Sequence, residues 1–493
     1  MSFSLDFIKN SKFDSNLAFC IRDENFTYLQ FKERIFSIAQ ILKNQNISGQ
    51  NIGVYTFNHL DTYASIYAIW ITGNIYVPIH HTYPQNRVEE IVSQASIQTL
   101  IGSNTNPFPE VNVDFIDTSS LKMEVAFDLD TLHSHKQDEF MYILFTSGST
   151  GKPKGVQISH QNLCSFLNHC NSMNMGLNPG DRYLQMFELT FDLSVVSFVL
   201  PLQNGGTIYT VSDENLKYLE IYRLLEDYEI NFAIIVPSVL ALLKPYFCDI
   251  DLPHLKHVAL SGEAVPHKLT EDFQVCCPNA QFYNFYGPTE CTIFCTEYTI
   301  PKEDIPALNG IVSIGTVTKD LTFKLVNDEG NESGYNEKSE LYIGGPQVSM
   351  GYINNAELNQ SLFCEIDGIR YYKTGDLVIQ KEDGLFYYLG RKDQQVKIQG
   401  HRIELMEVEH LCTKALKQEV AVVAIKDERN FDNLVMFLRR NHNIQIIPEL
   451  NKVLPKYMIP TQIIEVEDFP LNDNGKLDRK ALKLSLQNGA SSN

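Results

Sequence analysis

Strand-like apolar runs alternate with amphipathic helical stretches through the first 300 residues. From Ser159 onward, Leu163, Phe166, Leu167 and Cys170 recur at helical spacing, which predicts a helix with one apolar face. Tyr218 to Glu229 predicts a second helix, and the apolar run Asn231 to Val236, closed by Pro237, predicts a buried strand. Further strands are expected at His257 to Leu260 and Gln281 to Phe285. Such alternation gives α/β layers. From Ile311 to Leu389 the pattern changes to short strands separated by Gly, Asp and Asn turns, which predicts a small β-barrel-like unit. After Arg391-Lys392-Asp393 it changes again: a helix carrying Leu405, Val408, Leu411, Cys412 and Ala415, strands at Val420 to Ile425 and Leu434 to Leu438, a helix, and a strand at Ile463 to Val466. The expected fold class is therefore α/β. A large N-terminal domain, 1–392, holds α/β subdomains plus the β-barrel-like unit; a small α+β domain, 393–485, follows, with an unstructured tail at 486–493.

A chain of 493 residues exceeds one ordinary core, in keeping with two or more domains. Hydrophobic residues at 44% and charged residues at 20% fit a globular enzyme rather than a disordered chain. A formal charge of −20 excludes general nucleic-acid binding, which needs a basic surface. The most apolar segment, Tyr63 to Ile79, is broken by Thr72-Gly73-Asn74 and reads as a core helix followed by a strand, so no membrane insertion is expected. The first residues lack a basic segment with an apolar core behind it, so a cytoplasmic location is expected. The ten cysteines include no C-x-x-C pair and read as reduced, buried thiols.

Candidate chemistry centres on Thr146-Ser147-Gly148-Ser149-Thr150-Gly151-Lys152-Pro153-Lys154-Gly155, between the apolar run Met141 to Phe145 and the resumed alternation of Val156-Gln157-Ile158. Three glycines, four hydroxyls and two lysines fall within these ten residues. Glycine lets backbone N–H groups approach an anion, hydroxyls donate to phosphate oxygens, and lysine supplies compact positive charge. The loop is not a Walker A motif, since Pro153 follows Lys152 where a hydroxyl is needed. Further on, Asn284-Phe285-Tyr286-Gly287-Pro288-Thr289-Glu290 sets an aromatic ring and a carboxylate beside a sharp turn. Lys373-Thr374-Gly375-Asp376-Leu377 sets an acid after a glycine. Gly390-Arg391-Lys392-Asp393, Val396-Lys397-Ile398-Gln399-Gly400-His401-Arg402-Ile403-Glu404 and Asn474-Gly475-Lys476-Leu477-Asp478 follow. Taken singly, each string also fits an ordinary turn with a solvated charge.

In order and separation these strings resemble the core motifs of the adenylate-forming enzymes: acyl-CoA synthetases, luciferases and amino-acid adenylation domains. The likeness spans nearly the whole chain, with lesser matches at Thr27-Tyr28, Tyr76-Val77-Pro78, Gly315, Glu340-Leu341-Tyr342 and Leu454 to Pro460. It implies ATP and Mg²⁺ as cofactors. It implies that Thr146, Ser147, Gly148, Ser149, Thr150, Gly151 and Lys154 embrace the ATP phosphates, Thr146 being counted among the catalytic residues. Tyr286 would stack on adenine beside Asn284, Gly287 and Thr289, and Glu290 would bind Mg²⁺. Asp376 would hold the ribose hydroxyls, with Arg391 near. Lys476 would reach the substrate carboxylate and the α-phosphate, offsetting charge as one anion attacks another. Asp393 resembles the hinge about which the small domain turns, and Gly400 lies on the face used in the second half-reaction. Gln399, where many relatives carry arginine, and His80-His81, where many carry Asp-Pro, depart from the pattern; the histidine pair reads as structural.

The same likeness makes Asp192, in Phe191-Asp192-Leu193-Ser194, the partner of a substrate ammonium; the alternative is a helix N-cap ahead of Leu193 to Leu200. The remaining substrate positions would be Leu193, Val196, Ile234, Ala259, Ser261, Gly262, Phe285, Ile293 and Phe294, a lining without charge that suits a small uncharged amino acid. Length and layout resemble the stand-alone D-alanine–carrier-protein ligases, although Ser261 stands where those commonly have cysteine. No carrier attachment site is found in the chain, so the expected acceptor is a phosphopantetheinylated carrier protein in trans, met by a local basic face for which Arg402, Lys414 and Lys417 are candidates. Two alternatives stay open: an aryl-acid or acyl-CoA ligase, and a nucleotide-binding regulatory protein that has lost catalysis.

Overall fold

A computed structural model describes residues 5–122, 128–148, 152–212, 216–393, 395–439, 445–470 and 477–489. The chain forms two compact units, the first comprising residues 1–81, 91–145 and 155–392, and the second 82–90, 146–154 and 393–493. No helix among the described residues is long and apolar enough to cross a membrane.

Among the described residues the first unit contains a nine-stranded sheet. Its spatial order is Thr316–Val317, Thr296–Ile300, Gln281–Tyr286, His257–Ser261, Phe232–Ile235, Arg182–Gln185, Thr207–Thr210, Leu17–Ile21 and Glu24–Thr27. The middle strands are parallel and buried beyond their first residues, as expected where helices cover both faces. A six-stranded sheet runs Asp114–Asp117, Thr99–Gly102, Asn51–Thr56, Ile75–His80, Phe140–Thr146 and Lys154–Ser159. The helix Tyr28–Asn44 starts at a capping box, Thr27 accepting from the Gln30 N–H while Gln30 bonds back to the Thr27 N–H at 2.8 Å. Helix Leu60–Ile71 is buried throughout, and the only tryptophan of the chain, Trp70, donates from Nε1 to the Met141 carbonyl at 2.8 Å. The expected helix after Ser159 is His160–Ser172, with Ser159 as its cap and Leu163, Phe166, Leu167 and Cys170 all buried. The β-rich stretch after 311 is a five-stranded antiparallel sheet with its own hairpins.

In the second unit Val420–Lys426 pairs antiparallel with Asp432–Arg439, which pairs parallel with Gln462–Val466. Alternation along these strands builds two cores. Val422, Ala424, Leu434, Met436 and Leu438 face the helix Leu405–Leu416 through Val408, Cys412 and Leu416. Ala421, Val423, Val435 and Phe437 face Leu482 of the helix Arg479–Gly489. That last helix runs past residue 486, where the sequence pattern puts the start of an unstructured tail, because Leu486 also packs on this second face. The ten cysteines are all unbridged: seven are buried, Cys164 and Cys364 half-buried and Cys248 exposed.

Candidate active site

Parallel strands present their side chains in register, and the expected substrate positions fall on neighbouring strand ends. Ile234 stands opposite Ala259, and Ser261 opposite Phe285. Because Ala259 and Ser261 are two residues apart, these four share one face near the carboxyl ends of the strands, where open α/β sheets take ligands. Ser261 donates to the Phe285 carbonyl at 2.8 Å, so its hydroxyl is already satisfied. The Phe285 ring stacks on Phe294 with centroids 4.2 Å apart, and Ile293 is buried beside it at φ +76°. Gly262 also has positive φ, +89°. Leu193 and Val196 are buried on the helix Asp192–Asn204.

Asp192 is the first residue of that helix; Phe191 holds the N-cap position and makes no side-chain cap, so the capping alternative does not describe Asp192. Its carboxylate is buried, 9% exposed. Burial first, and the negative charge of Asp192 after it, push the Tyr76 hydroxyl far above the ordinary phenol range; for Tyr142, Tyr76 contributes between the two. Neither hydroxyl has a hydrogen-bond partner among the described residues.

The strand Gln281–Tyr286 ends where Gly287 must lie: a Cβ there would sit 2.4 Å from the Phe294 Cα, so no other residue fits without backbone movement. Tyr286 is buried and donates to Asp376 Oδ2 at 2.5 Å, while Arg391 Nη1 lies 3.1 Å from Asp376 Oδ1. Three residues from three motifs thus meet at one carboxylate. Asn284 donates to the Ser313 carbonyl at 2.9 Å and supports the neighbouring turn. Thr289 opens a short 3₁₀ turn that carries Glu290, whose carboxylate is fully buried and accepts from Tyr352 Oη. A buried carboxylate met by a neutral hydroxyl suits a small hard cation.

The described parts of the glycine-rich loop from Thr146 to Lys154 belong to the second unit. Thr146 ends its strand and donates to the Lys154 carbonyl at 3.5 Å. Gly148 N–H donates to Glu407 Oε2 at 3.0 Å, Ser147 Oγ to the Arg402 carbonyl at 2.7 Å, and Lys154 Nζ lies 3.3 Å from Glu404 Oε1. The backbone N–H and the lysine that the motif assigns to phosphate are therefore holding carboxylate oxygens, which demonstrates their capacity for anions. Arg87 Nη1 pairs with the other oxygen of Glu407 at 3.2 Å, both side chains buried. Burial raises the Glu407 pKa, against the opposing pull of Arg87 and the Gly148 N–H. Arg87, Glu407 and Tyr352 lie outside the expected set, because nothing local in the sequence ties Arg87 to a residue 320 positions away. Asp393 accepts from the Gln395 N–H at 3.1 Å, at the start of the second unit's C-terminal segment. Gln399 and Gly400, at φ +51° and +83°, make the two-residue turn between Gln395–Ile398 and His401–Glu404. Arg402 donates to Gln395, and Lys414 and Lys417 are exposed. His80 Nε2 lies 3.7 Å from Glu188 and His81 Nδ1 3.2 Å from the Thr56 carbonyl, structural contacts for the histidine pair. Lys476, Ser149, Thr150 and Gly151 lie outside the described residues.

Residues 9–353 match the AMP-binding enzyme family. The chain belongs to that family. Two relatives of this AMP-binding enzyme match almost end to end. The D-alanine–D-alanyl carrier protein ligase of Bacillus cytotoxicus is 31% identical, over 94% of this chain and 95% of that one; its namesake from Lacticaseibacillus casei is 33% identical, over 95% and 96%. Among solved structures, the Vibrio cholerae adenylation domain AlmE, in complex with glycyl-adenosine-5'-phosphate, superposes with a TM-score of 0.85 at 24% identity, covering 98% of this chain and 96% of that chain. The Klebsiella oxytoca NpsA–ThdA fused adenylation–PCP di-domain gives 0.84 at 21% identity, covering 93% of each. These two establish the fold of the AMP-binding enzyme as that of adenylation domains.

Proposed function

We propose that this AMP-binding enzyme is an ATP-dependent, AMP-forming ligase that activates a small uncharged amino acid, D-alanine foremost, and passes it to the phosphopantetheine thiol of a separate carrier protein. The observation that carries the reading is the near end-to-end match to two D-alanine–D-alanyl carrier protein ligases, together with a buried Asp192 and an uncharged set of strand-end residues. In the first step the substrate carboxylate attacks the α-phosphorus of ATP, forming the acyl phosphate bond and releasing pyrophosphate. In the second, the carrier thiol loses its proton and attacks the activated carbonyl, and AMP leaves as the thioester forms.

Asp192 is assigned to the substrate ammonium. Charge pairing between a buried carboxylate and the ammonium would favour amino acids over acids that lack the amine by several kcal/mol. Tyr286, Asp376 and Arg391 are assigned to the nucleoside: the shared carboxylate can take both ribose hydroxyls, and the tyrosine ring can cover a base. Glu290 would hold Mg²⁺, which supplies charge neutralisation for the phosphate oxygens when bound. Ser147, Gly148 and Lys154 are assigned to the phosphates and Lys476 to the charge that develops at the α-phosphate. Asp393 is the proposed hinge and 1–392 and 393–485 the proposed domains, in a cytoplasmic enzyme.

ATP–pyrophosphate exchange across D- and L-amino acids, with aryl and fatty acids as controls, tests the proposal. Exchange confined to one small amino acid, D-alanine first, is the expected result. Exchange with aryl or fatty acids alone would move the chain to the CoA-ligase class. Nucleotide binding with silence on every acid would favour a regulatory protein.

A further inference from the structure

Away from the site described above, the segment between the helix Leu60–Ile71 and the strand Phe140–Thr146 collects two histidines and a glutamate. His133, His135 and Glu139 each place one donor atom within 4.8 Å of the other two. His133 Nε2 lies 2.7 Å and His135 Nδ1 3.4 Å from the same Glu139 oxygen, Oε2. We propose that these three residues form a binding site for a divalent transition-metal ion of the zinc class.

The hydrogen-bond geometry around His135 carries the argument. Its Nε2 lies 2.9 Å from the Trp70 carbonyl, which can only accept, so Nε2 bears the hydrogen. In the neutral ring Nδ1 is then a bare lone pair. It is buried, its side chain 5% exposed, it makes no hydrogen bond, and it faces a carboxylate oxygen. A lone pair opposed to an anion in a buried place calls for a cation between them, either a proton on the ring or a metal ion. The Trp70 carbonyl is the kind of outer contact that fixes the tautomer and orientation of a ligating histidine.

The geometry agrees. Zinc bonds of roughly 2.0–2.2 Å set the ligands of a tetrahedron about 3.3 Å apart. The separation from His135 already matches, and the 2.7 Å pair needs to open by about 0.6 Å, a shift available to two side chains each about a third exposed. Both ends of the segment are pinned by the main chain: His133 N–H donates to the Ile71 carbonyl at 2.9 Å and the Glu139 carbonyl accepts from His160 N–H at 2.7 Å. Gly73 leaves the space for the His133 ring, since a Cβ there would lie 2.7 Å from Nδ1. Two imidazole nitrogens and one carboxylate oxygen select zinc-type ions over magnesium or calcium, with water completing the set on the exposed side.

The test uses the full-length protein, stripped with chelator and titrated with zinc chloride against a chromophoric zinc chelator. One ion per chain is expected, bound at least tenfold more tightly than in a His135→Asn, Glu139→Gln double variant whose fold is checked by circular dichroism. Zinc K-edge absorption on the unmutated protein gives a readout that does not depend on the variant folding, and scattering from two imidazoles is expected. Equal stoichiometry and affinity in the variant, or a spectrum without imidazole scattering, would overturn the site and leave a hydrogen-bonded His–Glu–His triad.

Discussion

At the scale of single residues, the acids of the candidate site divide by what they touch. Asp376 is held between a tyrosine hydroxyl and a guanidinium, whereas Asp192 and Glu290 are buried where proposed positive ligands would arrive. Asp192→Asn should lower amino-acid-dependent pyrophosphate exchange by at least about a hundredfold, since a neutral amide gives up the charge pairing with the ammonium. Indifference to the change would remove the ammonium role. Glu290→Gln should raise the Mg²⁺ concentration needed for half-maximal exchange by at least about tenfold, and an unchanged requirement would place the metal elsewhere. Tyr286, Asp376 and Arg391 could be picked out in the sequence because each sits in a short string of recognisable order. Tyr352, which meets Glu290 from 62 positions away, could not, since a lone tyrosine after a glycine has no local mark.

At the scale of elements, periodicity carried most of the information. The helix after Ser159 and the strands at His257, Gln281, Val420 and Asp432 are fixed by apolar spacing and stop at Gly, Pro or polar residues, so their positions could be anticipated. What spacing cannot supply is the partner of each strand, and the shared face of Ile234, Ala259, Ser261 and Phe285 is a product of register. The hairpin turn at Gln399-Gly400 offers a test at this scale. Two consecutive positive φ values suit Asn-Gly, and glutamine pays a steric penalty in that region. Gln399→Asn should therefore stabilise the hairpin by roughly 0.5–1 kcal/mol, read as a rise in thermal midpoint; a fall would mean that the Gln399 side chain makes a contact worth more than the strain.

At the scale of the whole molecule, sequence-distant segments are joined through buried charge, and the second unit shows this most directly. Glu407 is fully buried, with Arg87 and the Gly148 N–H on its oxygens and Glu404 close by. Burial is the largest influence on it and lifts its pKa above the ordinary 4.5, with Glu404 adding to the rise and Arg87 and Gly148 opposing it. A carboxyl group whose pKa is raised on folding binds its proton more tightly in the native state than in the unfolded one. Its contribution to stability is thus fully present below the unfolded value of 4.5 and is lost as pH rises through the folded value. Glu407→Gln removes the titration. It also leaves Arg87 without its carboxylate, but arginine stays charged across this range, so that cost is a constant offset. The advantage of the unmutated protein over Glu407→Gln should accordingly shrink as pH rises from 4.5 toward neutrality, measured as the difference in urea midpoint at a series of pH values. A difference that grows with pH would mean that Arg87 outweighs burial and that the carboxylate is held ionised.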